Sequence, residues 1–361
     1  MGTLYHRLVS SKVAAFVLVF VPLGCSGQTP SPVVPATSIP SASPLPRPLP
    51  TNLPAACGGA KLRVHFYDVA QALAVLVELP DGRNVLVDTG DFAKRSGCGQ
   101  ACADAHESLM AKLTADLHTR PIDLLWITHP HADHLGGALD VLARFSVRAY
   151  VDNGRDVGEA EVRRLRDSAM ARGVTVAVVE PGREQLPMQS AGDVKLTAIA
   201  PSSWLPACKE NRNDCSILLR VDYCASSILF TGDAEVAEEA LIDTRGKVTL
   251  LQVGHHGSDT STSPAFLARV RPKYAVISSG KQGEGTNDAY CHPRAATVSA
   301  LTQMLGGAGS KSIHAFRGGL RCKKSTDADW TDVAASDHLW ATMRDGDVVL
   351  ETTGDGSFVR E

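Results

Sequence analysis

The stretch Thr128-His129-Pro130-His131-Ala132-Asp133-His134-Leu135-Gly136-Gly137 gathers three imidazoles and a carboxylate within six residues, directly after the apolar run Ile122 to Ile127. The apolar run predicts a buried strand, and a loop leaving such a strand gives ligand side chains a rigid base. His129 and His131, two positions apart, can turn toward one ion, which leaves Asp133 and His134 to face a second. Asp88, Asp233 and His255 recur in matching strand-end contexts and complete a donor set large enough for two metals.

The flanking sequence reads as layered α/β. Leu62 to Tyr67, Leu73 to Leu79 and Asn84 to Asp88 read as consecutive strands, with a turn at Pro80-Asp81-Gly82. Helical spacing covers Ala103 to His118 and Leu135 to Phe145, where Gly136-Gly137 permits close backbone approach. Further strands are predicted at 149–151, 175–179, 194–200, 216–221, 227–231, 248–253, 274–279 and 312–316. Helices are predicted at 158–172, 237–243, 264–270 and 294–305. Strands drawn from two halves of the chain, with helices outside, place the strand-end donors along one rim.

Before this region the chain has a different character. Arg7 and Lys12 precede the apolar run Val13 to Leu23, which is too short to span a bilayer and has the layout of a secretory signal over residues 1–24. Leu23-Gly24-Cys25-Ser26 is similar to a bacterial lipobox, so Cys25 is expected to carry lipid, with simple secretion as the alternative. Residues 25–57 hold nine of the 20 prolines among Ser, Thr and Ala, a composition that cannot bury enough apolar surface to fold. The expectation is an exported protein tethered by its N-terminal lipid, with a folded domain over residues 58–361. After Leu23 no apolar run approaches the ~20 residues of a spanning helix, so the chain is not read as a channel.

A hydrophobic content of 44% and charged content of 21% describe an ordinary globular domain, read as a monomer. The formal charge of −3 does not advertise nucleic-acid binding. A late basic segment, Lys311, His314, Arg317, Arg321, Lys323 and Lys324, is read as a solvated edge, with guidance of a phosphate backbone as the alternative. Apart from Cys25, eight cysteines remain, an even number that suits disulfides in an oxidising compartment. Cys98 with Cys102 and Cys208 with Cys215 are close enough to pair locally; a structural zinc site is the competing reading, without a CxxC pair to support it.

In this order the motifs resemble those of the metallo-β-lactamase superfamily: Val87-Asp88-Thr89-Gly90, His129-x-His131-x-Asp133-His134, Leu229-Phe230-Thr231-Gly232-Asp233 and Val253-Gly254-His255-His256-Gly257-Ser258. Phe66-Tyr67-Asp68-Val69, Asn213-Asp214-Cys215-Ser216 and Tyr290-Cys291-His292-Pro293 narrow the resemblance to ComEC-type competence hydrolase domains, over about Leu62 to Phe316. That family has a DVGQGDA loop where this chain reads Asp68-Val69-Ala70-Gln71-Ala72-Leu73-Ala74, and the usual third-motif histidine is absent here.

The resemblance implies an αββα four-layer sandwich and two divalent ions, zinc or alternatively manganese. His129 and His131 would hold the first ion, Asp133, His134 and His255 the second, with Asp233 between them. A hydroxide held by the pair would be the nucleophile, and Asp88 would fix a ligand histidine or orient the water. Asn213 and Ser216, in the altered third motif, are candidates for holding substrate oxygens, and His256 and His292 for protonating a leaving group or gripping phosphate. The expected function is hydrolysis of phosphodiesters, nucleic acid among them. The alternatives are a carbonyl-centre hydrolase acting on a lactone, thioester or β-lactam, and a non-catalytic surface binding module. The other histidines, such as His65, His106, His118, His314 and His338, read as packing or surface residues.

Overall fold

A computed structural model of the protein describes residues 59–155, 160–318, 322 and 325–361. The leader, Cys25, the proline-rich stretch, Cys57, Arg321, Lys323 and Lys324 lie outside the described residues. None of the described helices is long and apolar enough to cross a membrane.

Two sheets form the centre of the molecule. The first runs, edge to edge, through Val359–Arg360, Val348–Thr352, Leu62–Phe66, Val75–Glu78, Asn84–Val87, Leu124–Trp126, Ala149–Asp152 and Thr175–Val178. The second runs through Leu339–Ala341, Tyr274–Ile277, Leu250–Gln252, Ser226–Phe230, Leu218–Tyr223 and Val194–Ile199.

Alternation along the strands builds three layers of core from two sheets, because successive side chains leave opposite faces. Leu62, Val64, Phe66, Val75, Val77, Val85, Val87 and Trp126 face inward and meet Leu196, Leu219, Val221, Phe230 and Leu250 of the second sheet. Leu76, Leu86 and Leu125 leave the opposite face and pack on Leu109, Leu113 and Val141. Beyond the second sheet, Leu229, Leu251 and Ile277 meet Phe266, Leu267, Val298 and Leu301. Helices outside two packed sheets make the αββα sandwich.

Chain direction then fixes where the chemistry sits. Asn84–Val87, Leu124–Trp126 and Ala149–Asp152 are parallel, and so are Ser226–Phe230, Leu250–Gln252 and Tyr274–Ile277. Parallel strands end on the same side, so the residues that follow them share one rim.

Three expectations change. The single helix predicted at 135–145 is two, Ala132–Leu135 and Ala138–Arg144, broken at Gly136-Gly137. A Cβ on Gly136 would lie 2.2 Å from Phe92 N, and one on Gly137 would lie 2.3 Å from Thr89 O, so the main chain there touches its neighbour directly. The helix expected at 237–243 is one turn, Val236–Glu239. The C-terminal strands Trp330–Ala335, Leu339–Ala341, Val348–Thr352 and Val359–Arg360 had no counterpart in the sequence reading.

Cys98–Cys102 and Cys208–Cys215 pair locally, and Cys291–Cys322 forms a third disulfide that spacing alone did not single out. Cys224 is also disulfide-bonded. The described cysteines are thus cross-linked rather than arranged as a zinc site.

Candidate metal centre and pocket

Asp88 sits one residue past its strand at φ 56°, a left-handed conformation that turns its carboxylate back into the rim. One oxygen accepts from the Thr128 backbone N at 2.8 Å, and the other accepts from Thr128 Oγ1 at 2.7 Å and His134 Nδ1 at 2.7 Å. With Nδ1 carrying the proton, His134 turns Nε2 toward Asp233, 3.2 Å away. A carboxylate on each side of one buried imidazole raises its affinity for positive charge: burial lowers the His134 pKa, but Asp233 and Asp88 outweigh that and hold it well above the ordinary value.

His256 is oriented in the same way. Its Nδ1 donates to Ser278 O at 2.8 Å, so Nε2 faces Asp233 at 3.6 Å and Asp133 at 3.7 Å. Metal-binding histidines are commonly fixed by such a bond from the opposite ring nitrogen. His129 Nε2 and His131 Nδ1 face each other at 3.0 Å, while Thr128 Oγ1 lies 3.1 Å from His129 Nδ1.

Two groups of donors therefore converge, His129 with His134 and Asp233, and Asp133 with His134 and His256; within each group the ligand atoms lie within 4.8 Å of one another. His134 Nε2, His256 Nε2 and Asp233 Oδ1 are buried with no hydrogen-bond partner. Buried polar atoms left without partners at one point are costly unless an ion satisfies them, and imidazole with carboxylate is the donor set for a divalent transition metal. The residues present fit the implied metals. Burial opposes ionisation of Asp233, yet His134, His256 and His255 hold its carboxyl well below the usual range.

His255 does not occupy the place expected for it. It stands outside the Asp133–His134 group, and His256 takes that position. Both residues are left-handed, His255 at φ 49° and His256 at φ 54°, and this turn sends the two rings in different directions. His255 Nδ1 lies 3.1 Å from Thr260 Oγ1 and 3.3 Å from Glu235, and Nε2 lies 3.9 Å from Asp233. Burial disfavours charge on His255, but Asp233 and Glu235 raise its pKa overall.

A cavity of about 100 Å³ opens over the cluster, lined by Gln71, Arg95, His131, Asp133, Asn213, Asp233, His255, His256, Tyr290 and His292. Asn213 reaches it and donates to Glu235 at 3.2 Å. Ser216 does not line it. Its side chain is fully buried, and Oγ accepts from the Asp233 backbone N at 3.3 Å, so it supports a donor instead of meeting substrate. His292 lines the cavity with Nδ1 accepting from Gln71 Nε2 at 3.2 Å, which leaves its proton on Nε2. Burial, then His255 and His256, hold His292 well below the ordinary imidazole value. His256, a sequence candidate for protonating a leaving group or gripping phosphate, stands within the donor group with Asp133 and His134.

Gln71, Arg95, Glu235 and Tyr290 were missed as site residues. Gln71 and Tyr290 lie inside stretches that carried the family resemblance, whereas Arg95 lies in a polar loop without periodicity. The loop of Gln71 holds Ala70 at φ 57°, a left-handed conformation that glycine adopts more readily. Of the late basic segment, His314 lies 2.9 Å from Asp332, Arg317 donates to Thr331 at 2.7 Å, and Lys311 lies 3.9 Å from Asp345, as in a neutralised edge. His65 and His106, read as packing residues, are buried against Glu78 at 3.0 Å and Asp140 at 2.8 Å.

Comparison with known proteins agrees with this architecture. The chain is 28% identical over 253 residues to ComE operon protein 3 of Bacillus subtilis, covering 68% of this chain and 31% of that protein. It is 32% identical over 223 residues to Recombination protein 2 of Haemophilus influenzae, covering 61% of this chain and 24% of that protein. Competence protein ComA of Neisseria gonorrhoeae is 31% identical over 238 residues, 64% of this chain and 28% of that protein. The chain thus spans a third or less of the length of these relatives. The family model described as Metallo-beta-lactamase superfamily matches residues 67–281, more than half of the chain. On this match and on the αββα sandwich with its rim of histidines and carboxylates, the chain belongs to the metallo-β-lactamase superfamily of metal-dependent hydrolases.

Proposed function

We propose that the protein is an exported, dinuclear metal-dependent phosphodiesterase that acts on nucleic acid. The observation that carries the reading is a cavity with two donor groups sharing His134 on its floor and the N–H-bearing side chains Arg95, His292 and Asn213 around its mouth. A floor that collects cations beneath a rim that donates hydrogen bonds is complementary to a phosphodiester, whose anionic oxygens need both. Similarity to proteins named for competence and recombination supports nucleic acid as the substrate class.

His129 and Asp233, with His131 beside His129, would hold one ion, and Asp133 and His256 the other; His134 Nε2, within reach of both groups, would serve one of them. Zinc is the favoured metal, with manganese the alternative where Asn213 replaces an imidazole. When bound, such ions supply an acidified water as nucleophile and neutralise charge developing on the phosphoryl oxygens.

The protein's own groups prepare the rest. Asp88 and Ser278 O fix the tautomers of His134 and His256, so that unprotonated nitrogens face the cluster. Gln71 fixes His292 with its N–H available, and Glu235 with Thr260 holds His255 at the cavity wall. Water adds to phosphorus and the leaving oxygen takes up a proton, giving a phosphomonoester and an alcohol. The leader Arg7 to Leu23 and Cys25 support export and lipid anchoring.

Purified protein supplied with zinc or manganese should cleave bis(p-nitrophenyl) phosphate and a single-stranded oligonucleotide, and His131→Ala should abolish both activities. Turnover of nitrocefin or p-nitrophenyl acetate with inert phosphodiesters would reassign the protein to carbonyl chemistry.

A further inference from the structure

Arg95 and Tyr290 are 195 positions apart in sequence, yet Arg95 Nη2 donates to Tyr290 Oη at 3.1 Å across the cavity mouth. Arg95 Nη1 is held by Asp91 at 2.5 Å and lies 3.6 Å from Asp133 Oδ1, which places the guanidinium beside the donor cluster. These bonds use two of the five N–H groups of a guanidinium, leaving donors in a planar fork that matches phosphate oxygens. Tyr290 is 39% exposed, one of five exposed large apolar side chains among the described residues and the aromatic one. Its ring lies against His292, with centroids 6.3 Å apart and planes at 27°.

Position divides the labour between these residues. Asp133, Asp233 and His256 line the cavity with Arg95 beside Asp133, while Tyr290 presents its ring at the mouth, so a phosphodiester seated over the donors directs the adjoining base outward toward Tyr290. An exposed aromatic beside an anion-binding groove is how unpaired bases are held without sequence preference. Bases of a duplex are already stacked and paired, so the arrangement favours single strands.

Both segments are covalently anchored. Cys98, three residues after Arg95, is bonded to Cys102, and Cys291, next to Tyr290, is bonded to Cys322. The two segments also meet: a Cβ on Gly285 would lie 2.9 Å from Cys98 Sγ.

We infer that Arg95 and Tyr290 form a single-strand nucleotide subsite, in which Arg95 binds a non-bridging phosphate oxygen and Tyr290 stacks on the adjoining base. This rests on the phosphodiesterase reading above and specifies its substrate. The test compares a base-bearing substrate, thymidine 5′-(p-nitrophenyl phosphate), with base-free methyl p-nitrophenyl phosphate, using the metal-loaded protein and inorganic phosphate as inhibitor.

Tyr290→Ala should raise KM for the base-bearing substrate about tenfold, and at least about fivefold more than for the base-free one. Tyr290→Phe, which keeps the ring, should recover most of that affinity. Arg95→Gln should raise KM for both substrates and weaken inhibition by phosphate about tenfold, with Arg95→Lys intermediate. Metal content and circular dichroism identify variants that fold; if Arg95→Gln does not, Arg95→Lys carries the phosphate arm. Wild-type turnover with equal effects of Tyr290→Ala on the two substrates, or with phosphate inhibition unchanged in the folded Arg95 variants, overturns the subsite alone. A wild type inert toward both diesters overturns the phosphodiesterase reading and the subsite together.

Discussion

The floor and the rim of the cavity are positioned by different means. On the floor, Asp88, His129, Asp233 and His256 follow the ends of parallel strands, and each is locked by bonds from buried neighbours such as Thr128, Ser216 and Ser278. The rim residues Arg95, Asn213 and Tyr290 stand on a loop, a single 3-10 turn and a one-turn helix outside the sheets, each beside or within a segment closed by a disulfide. A sheet end holds donors to the tolerance that metal coordination needs, whereas a loop with one cross-link can change its side chains without disturbing the sandwich. On the proposed reading, the contrast separates residues that hold metals from residues that hold substrate.

The sharpest way to break the contrast is on the floor. Asp233→Asn removes the carboxylate that faces four histidines and should lower kcat by about 10³, measured by steady-state hydrolysis. His256→Ala should lose bound metal in elemental mass spectrometry, while His255→Ala retains it; the reverse pattern would restore the ligand set expected from sequence. Asp88→Asn leaves the ligands in place but frees the His134 ring, and metal affinity should fall about 10- to 100-fold, read by competition with a chelating dye.

On the rim, mild reduction should leave metal content intact while costing about 2 kcal/mol for each short loop opened, measured by chemical denaturation. Loss of metal on reduction would show that floor and rim are one unit.

Glu78 offers a probe remote from both. His65, which lies 3.0 Å from it, and Arg120 hold its carboxyl down to about 2, against the opposing effect of burial. A depressed acid stabilises above its unfolded value near 4.5, and the contribution disappears as pH falls from there toward 2. Glu78→Gln should therefore destabilise by about 1 kcal/mol at neutral pH after solvent screening, and the difference should vanish by about pH 2. The smallest effect is expected at Ala70. Its left-handed strain is worth more than the extra chain entropy of glycine, so Ala70→Gly should stabilise by about 0.5 kcal/mol.

Much of this molecule could be read before its structure. Alternation in Leu62 to Phe66 reports a period set by the backbone itself, Asn84 to Val87 reads as a buried apolar run, and the His-x-His-x-Asp-His run brings its donors together within a single turn. What stayed hidden depended on partners far away in sequence or on backbone angle. Spacing cannot tell His255 from His256, because two successive left-handed residues decide which ring enters the cluster. Arg95 acquires meaning only from Tyr290, and Ser216 only from the Asp233 main chain. The C-terminal strands escaped because a segment such as Trp330–Ala335, with four positions half-buried or exposed between two buried ends, carries little apolar pattern. Their stability comes from the strands they join.

The pairing of Leu62–Phe66 with Val348–Thr352 has a consequence for how the domain is assembled. One edge of Leu62–Phe66 meets its neighbour Val75–Glu78 almost as soon as both are made, but the other waits until Thr352 has left the ribosome. Through that interval the nascent sheet carries an open hydrogen-bonding border flanked by Leu62, Val64 and Phe66, the kind of border along which unfinished chains join one another. Yield on refolding should accordingly fall steeply with protein concentration, and a synthetic peptide spanning residues 346–361, added in trans, should recover part of it.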